Sequence, residues 1–186
     1  EPDAENSIAA IARTTGRSPQ AVALDELMSR DGKGLLMLPF ENYAGGNLDV
    51  VHEMITDTAT VLGVADGGAH VGVICDASSP TSLLTLWARD RRRGPRLSLE
   101  FLIAKQTRGT AEAYGLADRG LLAPGHKADI NVINFDNLAL KRPEVVYDLP
   151  AGGRPLIQRA IGYRHTFNAG VETVCNDELT GERPGR

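Results

Sequence analysis

Long apolar runs, cysteine pairs and the common nucleotide and nucleophile signatures are all missing from this chain of 186 residues. No stretch approaches the ~18 consecutive apolar residues that span a bilayer. The opening EPDAENSIAA has no basic segment followed by an apolar one, so neither a membrane anchor nor a secretory leader is expected there. The two cysteines, Cys75 and Cys175, form no CxxC motif. They are expected to be free buried thiols in a reducing, cytoplasmic setting, with a single disulfide as the alternative. No GxSxG elbow, GxxxxGK loop or GxGxxG fingerprint occurs, which argues against serine-elbow, phosphate-loop and dinucleotide chemistry. The four histidines, His52, His70, His126 and His165, include no HxH pair. His52 opens HEMIT, but Thr56 stands where a metalloprotease helix needs its second histidine, and His52 reads as a helix-surface residue. A net charge of -4 creates no pull toward nucleic acid or anionic membrane.

What is present is ordinary folding material, with 42% hydrophobic and 24% charged residues. SIAAIARTTG sets Ile8, Ile11 and Ala12 on one side of a helix that stops at Gly16. SPQAVALDELMS opens a second helix with Ser18 as cap and Pro19 in its first turn. GLLMLPF, Gly34 to Phe40, has the length and continuity of a buried strand, NLDVVHEMIT returns to helical spacing, and TVLGVA is a second buried strand. Strands without alternation between helices are what a parallel sheet covered on both faces requires, an α/β signature. Ser79-Pro80 begins a further helix and Ser98 caps another through LEFLIAKQT, which TAEAYG extends. The cluster ARDRRRGPR is expected at a helix end, its arginines complementing the negative pole, with an anion or partner contact as the alternative.

From Gly120 the chain becomes rich in turns and strands. Pro124-Gly125 precedes Ile130, Val132, Ile133 and Phe135, and YRHTFNAGVETVCN reads as a hairpin, Tyr163 to Phe167 against Val171 to Cys175. A boundary near residue 118 would separate an α/β part, 1–118, from a β part, 119–186. Asp129 is expected to fix the turn into its strand.

The residue that asks for an explanation is Asp66, where the apolar VLGVA breaks into DGGAH. In parallel α/β proteins the loops after the strands carry the active site, and Gly67 and Gly68 would let the backbone turn sharply against a ligand. An Asp that simply caps a turn fits the same letters. His70 lies near enough in sequence to share a pocket, Tyr43 could face one from the loop after the first strand, and Arg89 or Arg91 could meet a substrate carboxylate.

GVADGGAHVGVICDASSPTSLLTLWARDR, then TRGTAEAYGLADRGLLAPGHKADINVINFD and VYDLPAGGRPLIQRAIGYRHTFNAGVETVCNDELTGERPGR, resemble the C-terminal portion of the amidohydrolase superfamily, and within it the D-aminoacylase (N-acyl-D-amino-acid deacylase) group. The resemblance implies a metal-dependent hydrolase on a (β/α)8 TIM barrel with a small β-sandwich beside it. This chain would hold the last two βα units and the C-terminal share of the sandwich. In that family the Asp ending barrel strand eight, matched by Asp66, binds the catalytic metal or hydrogen-bonds its water; zinc is the metal expected. The remaining ligands, an HxH pair and groups from the middle strands, have no counterpart here. A complete barrel needs eight strands and about 250 residues. The isolated chain is therefore expected to be inactive, deacylating small N-acyl amino acids only as part of a larger whole. A non-enzymatic assembly module of the same descent is the alternative, another chain or a second copy covering the open barrel edge.

Overall fold

The computed structural model describes residues 1–39, 41–63 and 72–184. The chain forms two compact units, Glu1–Asp57 and Thr58–Arg186. The change of composition near residue 118 falls inside the second unit, which carries both helices and strands.

Three helices make up the first unit, and local signals place them. In α1 (Ile8–Thr15) the Ser7 side chain accepts from the Ala10 amide at 3.2 Å, and the helix stops at Gly16. In α2 (Pro19–Gly32) Ser18 accepts from Ala21 at 3.2 Å; regular helical torsions end at Ser29, and Arg30 and Asp31 have φ 55° and 57°. Both caps satisfy an amide that the first helical turn leaves without a partner. Ala10, Ala12 and Val22 are buried on these helices. The third helix, α3 (Asp49–Thr56), buries Ile55 and carries His52 half-buried.

The expected strand at 34–40 does not form among its described residues. Positions 34–39 pair with no other segment, and Leu36, Met37 and Leu38 are 43%, 70% and 77% exposed. Residues 60–63 of the second expected strand are likewise in no strand. An apolar run becomes a strand only when another strand meets it in register, and no such neighbour occurs among the described residues; every ladder there is antiparallel and lies beyond residue 129.

In the second unit α4 (Ser79–Leu84) runs on through wide π turns at Thr85–Asp90, and α5 (Leu99–Ala104) does the same through Lys105–Gly109 into α6 (Thr110–Ala113). Threonine hydroxyls reach back to carbonyls within these turns, Thr85 to Thr81 at 3.2 Å, Thr107 to Ile103 at 2.6 Å and Thr110 to Lys105 at 3.0 Å. Such bonds compete with the backbone and loosen the i to i−4 ladder. Ser98 caps α5, accepting from Phe101 at 3.2 Å. Leu83, Leu84, Trp87 and Leu102 form the buried core, with Leu138 fully enclosed.

The β part carries a four-stranded antiparallel sheet of order β1-β6-β7-β8, built from β1 (Ile130–Ile133), β6 (Tyr163–Asn168), β7 (Val171–Cys175) and β8 (Glu178–Leu179). Two short ladders accompany it, β2 (Ala139–Leu140) with β5 (Ala160–Ile161) and β3 (Glu144–Val145) with β4 (Leu156–Ile157). The expected hairpin is β6–β7; its two-residue turn is Ala169-Gly170, with φ 49° and 83°, and Asn168 ends the strand. No helix among the described residues is long and apolar enough to cross a membrane.

Candidate functional site

Asp66 and His70 fall at 64–71, outside the described residues. The structure shows how the chain on either side of them is held. Before the loop, Thr60 accepts from Lys105 Nζ at 3.2 Å, which ties this segment to the α5 helix. After it, Ser78 Oγ donates to Gln158 Oε1 at 2.5 Å and lies 3.3 Å from Cys75 O, and Thr81 and Tyr163 hydroxyls lie 2.7 Å apart. Both flanks belong to the second unit, one tied to the π turn after α5 and one to the β part.

Tyr43 sits in the first unit, half-buried, with its hydroxyl donating to the Pro2 carbonyl at 2.9 Å. That bond occupies its one donor in holding the N-terminal segment.

The two arginines that could have met a substrate are used internally. Arg89 donates from Nη1 to Phe135 O at 2.6 Å and Asp136 O at 3.2 Å, from Nη2 to Leu138 O at 2.8 Å, and from Nε to Asp90 Oδ1 at 2.7 Å. Its guanidinium also lies over the Phe135 ring, 5.5 Å from the centroid. The hydrogen bond from Arg89, opposed by partial burial, holds the Asp90 carboxyl below the usual carboxylate range. Arg91 is 3% exposed, stacks 4.5 Å over Trp87 and donates to Pro95 O at 3.1 Å. The cluster does fall at a helix end and Arg92 is exposed, but Arg89 and Arg91 are not solvated: the fork of Arg89 collects the carbonyls of a turn in the β part, and Arg91 is core. Spacing alone does not separate a surface arginine from one whose planar donors meet distant carbonyls.

Asp129 does fix a turn, though at long range. Its Oδ1 accepts from the Ala169 amide at 2.8 Å, its Oδ2 lies 3.8 Å from Arg119 Nη1, and the Gly170 amide donates to Ala128 O at 2.9 Å. Cys75 and Cys175 are free and half-buried rather than fully buried. Burial first, then Asp76, pushes the Cys75 thiol up.

Among the described residues, one group of His, Cys and acidic side chains lies close enough together to share an ion: His165, Glu172 and Cys175 on the β6–β7 hairpin. Sequence reasoning missed it. Glu172 and Cys175 are three apart, which in an unbroken strand puts them on opposite faces.

Comparison with known proteins agrees with the sequence resemblance. A model of the amidohydrolase family matches residues 5–178. An imidazolonepropionase of Ruegeria pomeroyi is 43% identical over 67 residues, 36% of this chain and 15% of that protein. Two solved structures of D-aminoacylase, one described as defining a novel subset of amidohydrolases and the other addressing that enzyme's binuclear metal center, superpose with TM-scores of 0.50 and 0.51. At 22% identity they share the fold, and 94% of this chain corresponds to 32% of theirs. The chain thus spans about a third of the length of the D-aminoacylase structures it matches. With the match running from residue 5 to residue 178, across both units and both sides of the Asp66 loop, this chain belongs to the amidohydrolase family.

Proposed function

We propose that the chain is the C-terminal share of a metal-dependent amidohydrolase that hydrolyses a non-peptide C–N bond, with N-acyl-D-amino acids as the substrate class. In that reading it supplies the last two βα units of a (β/α)8 barrel and part of the accompanying β-sandwich. The observation that carries it is the family match over residues 5–178, a span that includes Asp66. The exposed, unpaired Leu36–Met37–Leu38 segment supports the same reading, since barrel strands are covered on both faces.

In this reading the chain supplies only part of a catalytic metal centre. A catalytic zinc takes about three protein ligands and an open position. The sequence has no HxH, and the hairpin group of His165, Glu172 and Cys175 lies roughly a hundred residues further along. The metal would be zinc held mainly by groups from a longer polypeptide. What this chain contributes is the Asp66 carboxylate, which accepts a proton from the attacking water and returns it to the leaving nitrogen. Two free thiols support a reducing, cytoplasmic location.

The test is hydrolysis of N-acyl-D-amino acids in the presence of zinc. The chain alone should show no turnover, whereas a longer polypeptide carrying the HxH segment should turn over and lose about 10²–10⁴-fold in kcat with Asp66→Asn. Robust turnover by the chain alone would sink the fragment reading, and full activity of Asp66→Asn would remove the role given to that carboxylate.

A further inference from the structure

The β6–β7 hairpin has one irregularity, and it decides which side chains meet. His165 pairs with Cys175, Thr166 with Val174, and Phe167 with Glu172, so Thr173 is left without an opposite residue. His165 and Phe167 are two apart and share a face, as their rings do at 6.1 Å. Their cross-strand partners Cys175 and Glu172 must share that face as well. The extra residue therefore returns Glu172 to the side of Cys175, three positions away. Bulges are a common means of re-aiming a side chain near a site.

The result is a compact trio of three donor types. His165 Nδ1 lies 2.6 Å from Glu172 Oε1, and the ligand atoms of all three residues lie within 4.8 Å of one another. Each residue is partly buried, neither sealed from solvent nor free in it. Asn176 Nδ2 lies 3.6 Å from the Cys175 sulfur and can donate to it.

From this we infer that the hairpin holds a divalent metal site of the zinc class, made by His165, Glu172 and Cys175 with solvent in a fourth position. The donor set suits a borderline-soft ion, since imidazole nitrogen, carboxylate oxygen and thiolate sulfur are the three groups that zinc takes from proteins. The charges also close. On binding, the Cys175 S–H bond breaks, its proton leaves to solvent, and the sulfur lone pair forms the S–metal bond, so one thiolate and one carboxylate offset a 2+ ion. The ligands sit on two adjacent strands whose tip is pinned by Asp129, so little chain entropy is lost in assembling them. The site is separate in sequence from Asp66, and it stands whether or not the hydrolase reading does.

Cobalt(II) is the probe, because a thiolate ligand gives it a near-ultraviolet charge-transfer band that nitrogen and oxygen ligands do not. The purified chain, kept reduced, should bind one equivalent with that band and with visible absorption of tetrahedral intensity, and zinc should displace it. Cys175→Ser should abolish the band, Cys75→Ser should leave it intact, and His165→Gln or Glu172→Gln should weaken cobalt binding at least about tenfold. The imidazole resonances of His165 should shift in the unaltered chain at the same stoichiometry, a readout that does not depend on a variant folding. No band, a band that survives Cys175→Ser, or imidazole signals indifferent to the metal would overturn the inference.

Discussion

A carboxylate 40 residues away holds the tip of the β6–β7 hairpin, where Asp129 Oδ1 accepts from the Ala169 amide. Ala169 needs that support, because its φ of 49° is a left-handed torsion that an alanine adopts at a cost of about 1–2 kcal/mol. A two-residue turn with positive φ at both positions is the kind Asn-Gly fills best. Ala169→Asn should therefore stabilise the chain by up to about 1 kcal/mol. Asp129→Ala should cost about 1 kcal/mol and speed amide exchange at Ala169 severalfold. Urea denaturation and residue-resolved hydrogen exchange check both signs, and equal midpoints for all three proteins would show that the tip is not under strain. The same scale explains Arg89 and Arg91: an arginine's worth depends on which carbonyls lie within reach, and those at Phe135, Asp136 and Leu138 are nearly fifty residues from Arg89.

Between elements, one tight joint is where the chain leaving α6 doubles back. Gly120 has φ +82°, and a Cβ there would stand 2.9 Å from Ala111 Cβ and 3.0 Å from Arg108 Cα. Nearby Gly115 has φ +70° but open space around it. The pair separates torsional strain from packing. Gly115→Ala should cost about 1 kcal/mol from the backbone alone, and Gly120→Ala about 2–4 kcal/mol because overpacking adds to it. Thermal unfolding of the two variants checks the difference; similar losses would mean that the joint relaxes easily. Helix starts at Ser7, Ser18 and Ser98 are legible in the sequence because capping is settled within four residues. The π turns at Thr85–Asp90 and Lys105–Gly109 are not, since a 3.6-residue pattern passes through a wide turn without a visible break.

At the scale of the whole chain, the feature that matters most is the uncovered segment Leu36–Leu38, three consecutive apolar side chains at 43%, 70% and 77% exposure. Apolar surface of this kind marks a place that another body covers. Replacing Met37 and Leu38 by serine should reduce self-association of the isolated chain while moving its stability by no more than about 0.5 kcal/mol. In a complete barrel the same changes should be strongly destabilising. Light scattering with size-exclusion chromatography reads the first effect, and an unchanged association state would show that this segment is not what the chain needs covered.

Residue types and short-range spacing were enough to determine the capped helices, the hairpin and the family resemblance; they also single out Asp66 as a candidate, which lies outside the described residues. Each of these depends on neighbours within a few positions, or on a pattern of letters. Tertiary structure alone decided the rest. Apolar runs at 34–39 and 60–63 are strands only if other strands pair with them, so their sequence could not settle their conformation. Arg89 became a clamp through carbonyls far along the chain, and a single unpaired residue, Thr173, brought Glu172 and Cys175 to one face. Contacts between distant segments have no local signature, because nothing in the intervening residues specifies the register in which they meet.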